Sequence, residues 1–223
     1  MGAGELGYCA GADFCQELSG ESDTDFHRTY GGEPPSRIIG RTPHLSVIVD
    51  MSPLCVGHLL IVSNQHYLSF AGVVRDHRTE VEDVVAQVLR SYETTFGGPV
   101  VLEHGSSQDM EGSACITHAH WHILPLDSEA VHQILINDGL EATELGGLED
   151  LAAVAAGGAP YFYCSDGSNQ RMYGVGHKMR KQYLRSVAGQ LLGIPDPEWD
   201  YVVVIRKDAF TTTMGHVREW RIR

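Results

Sequence analysis

No stretch of this 223-residue chain is long and apolar enough to span a membrane. Met1 to Gly20 lacks the basic start and apolar run of a secretory signal, so a cytoplasmic protein with no membrane partner is expected. Positive charge is scarce. Sixteen Lys and Arg stand against 29 Asp and Glu, a formal net charge of −13. That balance excludes a general grip on nucleic acid, which needs a basic face. It leaves room for a small phosphorylated ligand held by a few local donors. Cysteine is sparse too. Cys9, Cys15, Cys55, Cys115 and Cys164 are an odd, scattered set, which fits reduced thiols and not a disulfide framework. Internal repeats and low-complexity segments are absent. The length suits one domain with embellishments, or a domain and a half, able to bury a substantial core.

Histidine is what the chain has in quantity, twelve in all. The informative stretch is His118-Ala119-His120-Trp121-His122, followed by Ile123-Leu124-Pro125. On a β-strand, side chains alternate with period two, so all three imidazoles share one face. Such a row needs an anion, a metal or hydrogen-bonding partners against it. Three explanations stand side by side: ligands for zinc, iron or copper, a nucleophile with donors that handles phosphate, or plain ring packing.

Around this row the chain reads as an α+β protein. Met1 to Pro35 is a loosely structured lead-in with one short helix near Phe14–Leu18. Short β-rich runs follow at 38–39, 45–49 and 59–62, separated by turn residues, as in an antiparallel meander. Val81, Val84, Val85, Val88 and Leu89 have helical spacing, which predicts a helix over 79–92 ended by Gly97-Gly98. Strands are predicted at 100–104 and 116–124, with a polar loop between them. Beyond Asp127, helices are expected at 130–136 and 147–156, and a buried strand at 161–164. A basic amphipathic helix over 176–192 carries Lys178, Arg180, Lys181 and Arg185, a candidate phosphate contact or simply a solvated face. A last strand is expected at 199–205.

His-Ala-His-Trp-His-Ile-Leu-Pro resembles the signature of the histidine-triad (HIT) nucleotide hydrolases and transferases. Upstream, Asp50-Met51-Ser52-Pro53-Leu54-Cys55-Val56-Gly57-His58 is similar to that family's Asp-x-x-Pro-x-x-x-Gly-His strand-turn-strand, and Phe14 to Leu18 to its N-terminal segment. The likeness covers about residues 14–126. It implies a HIT-like antiparallel sheet with helices over 36–126 and a C-terminal extension, 127–223, packed on it. It also implies a homodimer, because family members pair through a helix and a strand.

The resemblance assigns roles residue by residue. His120 would attack the α-phosphorus and form a covalent nucleotidyl-histidine, its other ring nitrogen held by a carbonyl or another polar group. His118 and His122 would flank the phosphate, and His58 would complete the imidazole group. Asp50 would accept from the ribose hydroxyls, and Ile48 and Met51 would sandwich the base, with core packing as the competing reading for those two. Where the family has a Gly-Gln-Ser-like step, this chain has Ser113-Ala114-Cys115. Gln108, Ser113 and Cys115 are candidate phosphate-side contacts. Glu103-His104-Gly105 and Gln182-Tyr183-Leu184-Arg185 resemble a less familiar bacterial branch, which implies that His104 and Arg185 reach the substrate.

Some HIT proteins hold a structural zinc through two N-terminal cysteines and two histidines. Cys15 and His66 are present here, but Ala12 stands where the second cysteine is expected and Cys9 is out of spacing. No cofactor is therefore required, and zinc is not favoured. The expected activity is cleavage or transfer of a nucleoside monophosphate from a phosphoanhydride, a phosphoramidate or a nucleotidylated metabolite. The alternatives are a metal-dependent enzyme using His118, His120 and His122 as ligands, and a non-catalytic nucleotide-binding protein.

Overall fold

The computed structural model describes residues 13–105, 118–154, 157–175 and 179–223. Its organising element is one antiparallel sheet. Strands β1 (Ile38–Arg41), β2 (Leu45–Val49), β3 (Leu59–Ser63), β4 (Val100–Gly105), β5 (His120–Leu124), β6 (Glu141–Leu145), β7 (Tyr161–Ser165) and β8 (Gln170–Gly174) lie in the order β1-β2-β3-β5-β4-β7-β8-β6. The expected meander and hairpin are its first five strands. The extension then adds three more strands to the same sheet, with β7 pairing along β4 from Val101↔Ser165 to Gly105↔Tyr161.

Alternation splits the side chains between two cores. Val47, Val49, Ile61, Trp121 and Ile123 face one side, where they meet α3 (Phe70–Phe96), α5 (Leu148–Val154) and α7 (Lys207–Val217). Leu102, Leu124, Phe162 and Cys164 face the other and pack against α4 (Ser128–Asn137) and α6 (Tyr183–Leu191). Ile48, Leu60 and Val62 on that second side are covered by Phe14 and Leu18 of α1 (Asp13–Ser19). A short α2 (Asp25–Tyr30) follows, capped by the Thr24 side chain accepting from the His27 N–H at 3.2 Å. The second face therefore carries two separate apolar clusters, and the histidine-bearing part of β5 lies between them.

Several expectations are corrected. The helix read over 79–92 runs from Phe70 to Phe96, interrupted at His77 (φ −137°, ψ 33°). The charged run Arg75-Asp76-His77-Arg78 hides its first half from periodicity. The helix read over 176–192 begins only at Tyr183. The strand expected over 199–205 is a series of turns. Asp200 accepts from the Val202 N–H at 2.9 Å, and two of the valines that looked like a strand core, Val202 and Val203, are exposed, Val202 at 76%. α7 was not anticipated, because Thr211-Thr212-Thr213 is a poor helix sequence. Gly105 has a steric reason: a Cβ there would sit 2.3 Å from the ring of Tyr161, its partner across the strands. No helix among the described residues is long and apolar enough to cross a membrane.

Candidate active site

β5 sends Trp121 and Ile123 to one core and His120 and His122 to the opposite face. There the gap between α1 and α6 opens into a cleft of about 1030 Å³ including its mouth. Its floor is Leu60, His104, His120 and His122. One wall is Phe14, Glu17, Asp25, Phe26 and Arg37; the other is Asp50 to Ser52 with Gln182 to Arg185 and Tyr201.

Hydrogen bonds fix the ring states. Nδ1 of His120 lies 2.7 Å from the carbonyl of His118, so Nδ1 carries the proton and donates, and Nε2 keeps its lone pair. Nδ1 of His58 accepts from the Leu54 N–H at 3.1 Å, which places the proton of His58 on Nε2. That Nε2–H donates to Nδ1 of His122 at 2.9 Å, leaving His122 with its proton on Nε2. The group thus presents one lone pair, on His120, and one N–H donor, on His122. Burial lowers the pKa of His120, against the bond to the His118 carbonyl, and holds His122 well below an ordinary imidazole. Burial likewise lowers His58 to about 4. All three are neutral at pH 7.

Asp50 sits at the end of β2, 7% exposed. Its Oδ1 accepts from the Ser52 N–H at 2.7 Å, and its Oδ2 accepts from Arg185 at 3.1 Å and lies 3.5 Å from Nε2 of His58. Burial would raise this carboxyl, but His58, Arg185 and His122 more than offset it, and Asp50 is held well below the usual carboxylate range. Arg185 is equally committed. It also donates to the carbonyls of Ser52 at 2.7 Å and Trp199 at 3.3 Å. It borders the cleft as a clamp on Asp50.

Leu102 pairs with His122 across β4 and β5, and His104, two residues further along β4, lines the same cleft as His120. Burial lowers His104 to about 4, and its buried Nε2 has no hydrogen-bond partner among the described residues. Met51 lines the cleft, whereas Ile48 is 1% exposed in the core beneath α1. Gln108, Ser113, Cys115 and Cys9 lie outside the described residues.

His118 is brought to a different place. It is 1% exposed, away from the cleft, with its Nε2–H donating to the carbonyl of Ser63 at 2.7 Å. Its Nδ1 faces the Sγ of Cys15 at 3.3 Å, and Nδ1 of His66 faces the same sulfur at 3.6 Å. Tetrahedral zinc sets a bound sulfur and nitrogen about 3.6 Å apart, so Cys15, His66 and His118 fit three of its four positions. A metal-bound histidine with its other N–H on a carbonyl is the usual supporting arrangement. Among the described residues the group stops at three. A second potential ligand group, Asp50, His58 and His122, is already joined by the hydrogen bonds above. His120 belongs to neither, so the histidine row does not converge on one ion.

Sequence reasoning placed Asp50, Met51 and Arg185 at the site but missed the wall built around Arg37. Arg37, 3% exposed, donates to both carboxylate oxygens of Glu17 at 2.8 and 2.6 Å and to the carbonyl of Val49 at 3.0 Å. It lies between the rings of Phe14 and Phe26, and Phe14 packs 5.4 Å from the ring of His120. An arginine between a Pro-rich turn and a strand gives no sign of this in one dimension.

Residues 31–129 match the family model described as the HIT domain. No curated protein matches the chain. Solved structures do. A hypothetical histidine triad nucleotide-binding protein from Sulfolobus tokodaii strain7 is 22% identical, covering 45% of this chain and 66% of that one, TM-score 0.33. The chain thus spans just under two thirds of that protein's length. A HIT family hydrolase from Clostridium thermocellum is 17% identical over 52% of this chain and 91% of its own, TM-score 0.37. A HIT family protein from Bacillus anthracis is 17% identical over 66% and 94%, TM-score 0.40.

Proposed function

We propose, from the premise that residues 31–129 form a HIT domain, that this chain is a cytoplasmic nucleotide hydrolase or nucleotidyltransferase. It acts through a covalent nucleotidyl-histidine on His120. The observation that carries this reading is the bond from Nδ1 of His120 to the His118 carbonyl, which leaves a neutral Nε2 lone pair at the cleft.

In the first displacement that lone pair attacks the α-phosphorus. A P–N bond forms, and the bond from phosphorus to the leaving group breaks with its electron pair going to the leaving group. The Nε2–H of His122 donates to the phosphoryl oxygens or to the departing atom, and His58 holds it in the tautomer that can do so. Asp50, fixed by Arg185 and the Ser52 N–H, keeps lone pairs for ribose hydroxyls. His104 adds a further nitrogen beside the phosphate. In the second displacement water or another acceptor attacks phosphorus, the P–N bond breaks, its electron pair returns to Nε2, and the proton shed by the attacking group passes to solvent. The substrate class is a nucleoside monophosphate joined to a leaving group by an anhydride, phosphoramidate or ester bond. A homodimer belongs to the same proposal. Both edges of β4 are paired within the chain, so a second copy would have to use the sheet ends, β1 or β6, or a helix face.

Intact-mass spectrometry after incubation with a panel of nucleotidylated compounds tests the route. The expected result is an adduct of one nucleoside monophosphate on the wild type and its absence in His120→Ala. Turnover without dependence on His120 would sink the mechanism.

A zinc ion on Cys15, His66 and His118 would be structural, tying α1 to the chain just before β5. It would hold in place the carbonyl that orients His120, and neither displacement passes through it. The expected metal content is about one zinc per chain in wild type and none in Cys15→Ala, measured by inductively coupled plasma mass spectrometry. Metal-free wild-type protein that melts and turns over normally would dismiss the site.

A further inference from the structure

Only two buried side-chain nitrogen or oxygen atoms among the described residues have no hydrogen-bond partner, and both belong to residues lining the cleft: Nε2 of His104 and Oε1 of Gln182. His104 stands on β4, next to the strand that bears the nucleophile. Gln182 has no role in the displacement, yet its geometry is unusually constrained.

Gln182 is the one non-glycine residue with positive φ among the described residues (φ 52°, ψ 35°). L side chains other than Asn and Asp rarely adopt that conformation. It stands just before α6, and its side chain does not cap the helix. Its Nε2 donates instead to Oδ1 of Asp200 at 2.7 Å, which fixes which way the amide faces. Asp200 is itself anchored by the Val202 N–H. One helical turn on, Arg185 is clamped to Asp50, so Gln182 and the Asp50 end of the cleft are parts of one braced unit. A buried amide oxygen without a donor is costly to maintain unless a ligand supplies one. That donor cannot come from an ionised phosphate, whose oxygens only accept and would repel it.

We infer that Gln182 is a specificity-determining residue whose Oε1 accepts a hydrogen bond from an amino or hydroxyl group on the nucleoside half of the ligand. This rests on the nucleotide reading of the same cleft. Pockets built to hydrogen-bond a ligand N–H or O–H reject analogues that lack it far more strongly than apolar pockets reject a methylene.

Isothermal titration calorimetry on the full chain reads this directly, without needing turnover. The probes are adenosine monophosphate, purine riboside monophosphate (no 6-amino group), and the 2′-deoxy and 3′-deoxy monophosphates. Wild type is expected to bind at least one donor-deleted analogue about 10-fold or more weakly than its parent, and the identity of that analogue separates the amino source from the hydroxyl source. Gln182→Asn, which tolerates positive φ but is shorter, and Gln182→Leu are expected to bind that pair within about twofold of each other. Thermal melts accompany each variant to register any loss of folding. Equal wild-type affinities across the set, or discrimination retained in both variants, or a uniform loss for all probes, would overturn the assignment and leave the nucleotide reading standing. A wild type that binds no nucleotide at all would overturn both.

Discussion

Alanine at His120 is expected to lower turnover of the best nucleotide substrate by about 10⁴-fold or more, with little change in melting temperature. The size of the loss follows from how the other two histidines of the row are committed. Nδ1 of His118 faces Cys15 away from the cleft, and its Nε2–H is on Ser63. His122 has its Nδ1 lone pair engaged by His58 and carries its proton on Nε2. Neither can offer a lone pair to phosphorus without breaking its own bonds. Removing the donor instead, with His122→Ala, is expected to cost about 10²- to 10³-fold, the scale of one lost donor or acid. Stability should hardly register the first change, because the His120 ring borders the cleft and its one side-chain bond goes to a neighbouring carbonyl. Single-turnover kinetics on both variants, with thermal melts, measure the contrast. A His120→Ala enzyme within tenfold of wild type would show that the nucleophile lies elsewhere.

The part of this site written in strand periodicity was legible, and the part made by chain crossing was not. His120 and His122 share a face because period two requires it, and Trp121 between them goes to the opposite core for the same reason. The same rule fails at His118, which precedes the strand and turns to Cys15 and His66. The Asp50 to His58 turn was recognisable as a motif, but its dependence on Arg185 was not. Those partners are 135 residues apart in sequence. Helix α6 shows the limit of pattern reading. Its basic residues looked like one charged face over 176–192, yet the helix starts at Tyr183, after Gln182 has taken a left-handed conformation that no hydrophobic count anticipates. In the fold, residues 127–223 looked like an addition to a finished domain. Burial of Tyr161 to Cys164 was visible, but nothing in one dimension says that this run pairs with β4. Glu103 could have hinted at it, since a carboxylate in an apolar strand needs partners from somewhere.

Glu103 is where the second large effect is expected. It neighbours His104 in sequence but faces the opposite core, 1% exposed. Its Oε1 accepts from the Phe70 N–H at 2.6 Å, and its Oε2 from Nε1–H of Trp121 at 2.9 Å and the hydroxyl of Tyr161 at 2.8 Å. One carboxyl therefore ties together the start of α3, the strand bearing the histidines, and the strand of the extension that pairs with β4. Glu103→Ala leaves three buried donors without an acceptor, and a loss of about 3–5 kcal/mol is expected. For a chain of this size that is about 10 °C in Tm. Glu103→Gln keeps the shape and should lose less, but it separates burial from charge. Burial pushes the Glu103 carboxyl up to about 7, and its three donors pull it back only in part. The folded chain thus holds that proton more tightly than the unfolded chain, whose glutamates titrate near about 4.3. The resulting stabilisation is complete below about pH 4 and is lost as pH rises through 7. Glutamine cannot ionise, so wild type should hold its largest advantage over Glu103→Gln at about pH 4 and below. That advantage should shrink by about 3 kcal/mol by pH 8.5. Urea unfolding of both proteins across that range gives the difference directly, and a gap that stays constant with pH would mean the carboxyl is already ionised at pH 5, held by its three donors despite burial.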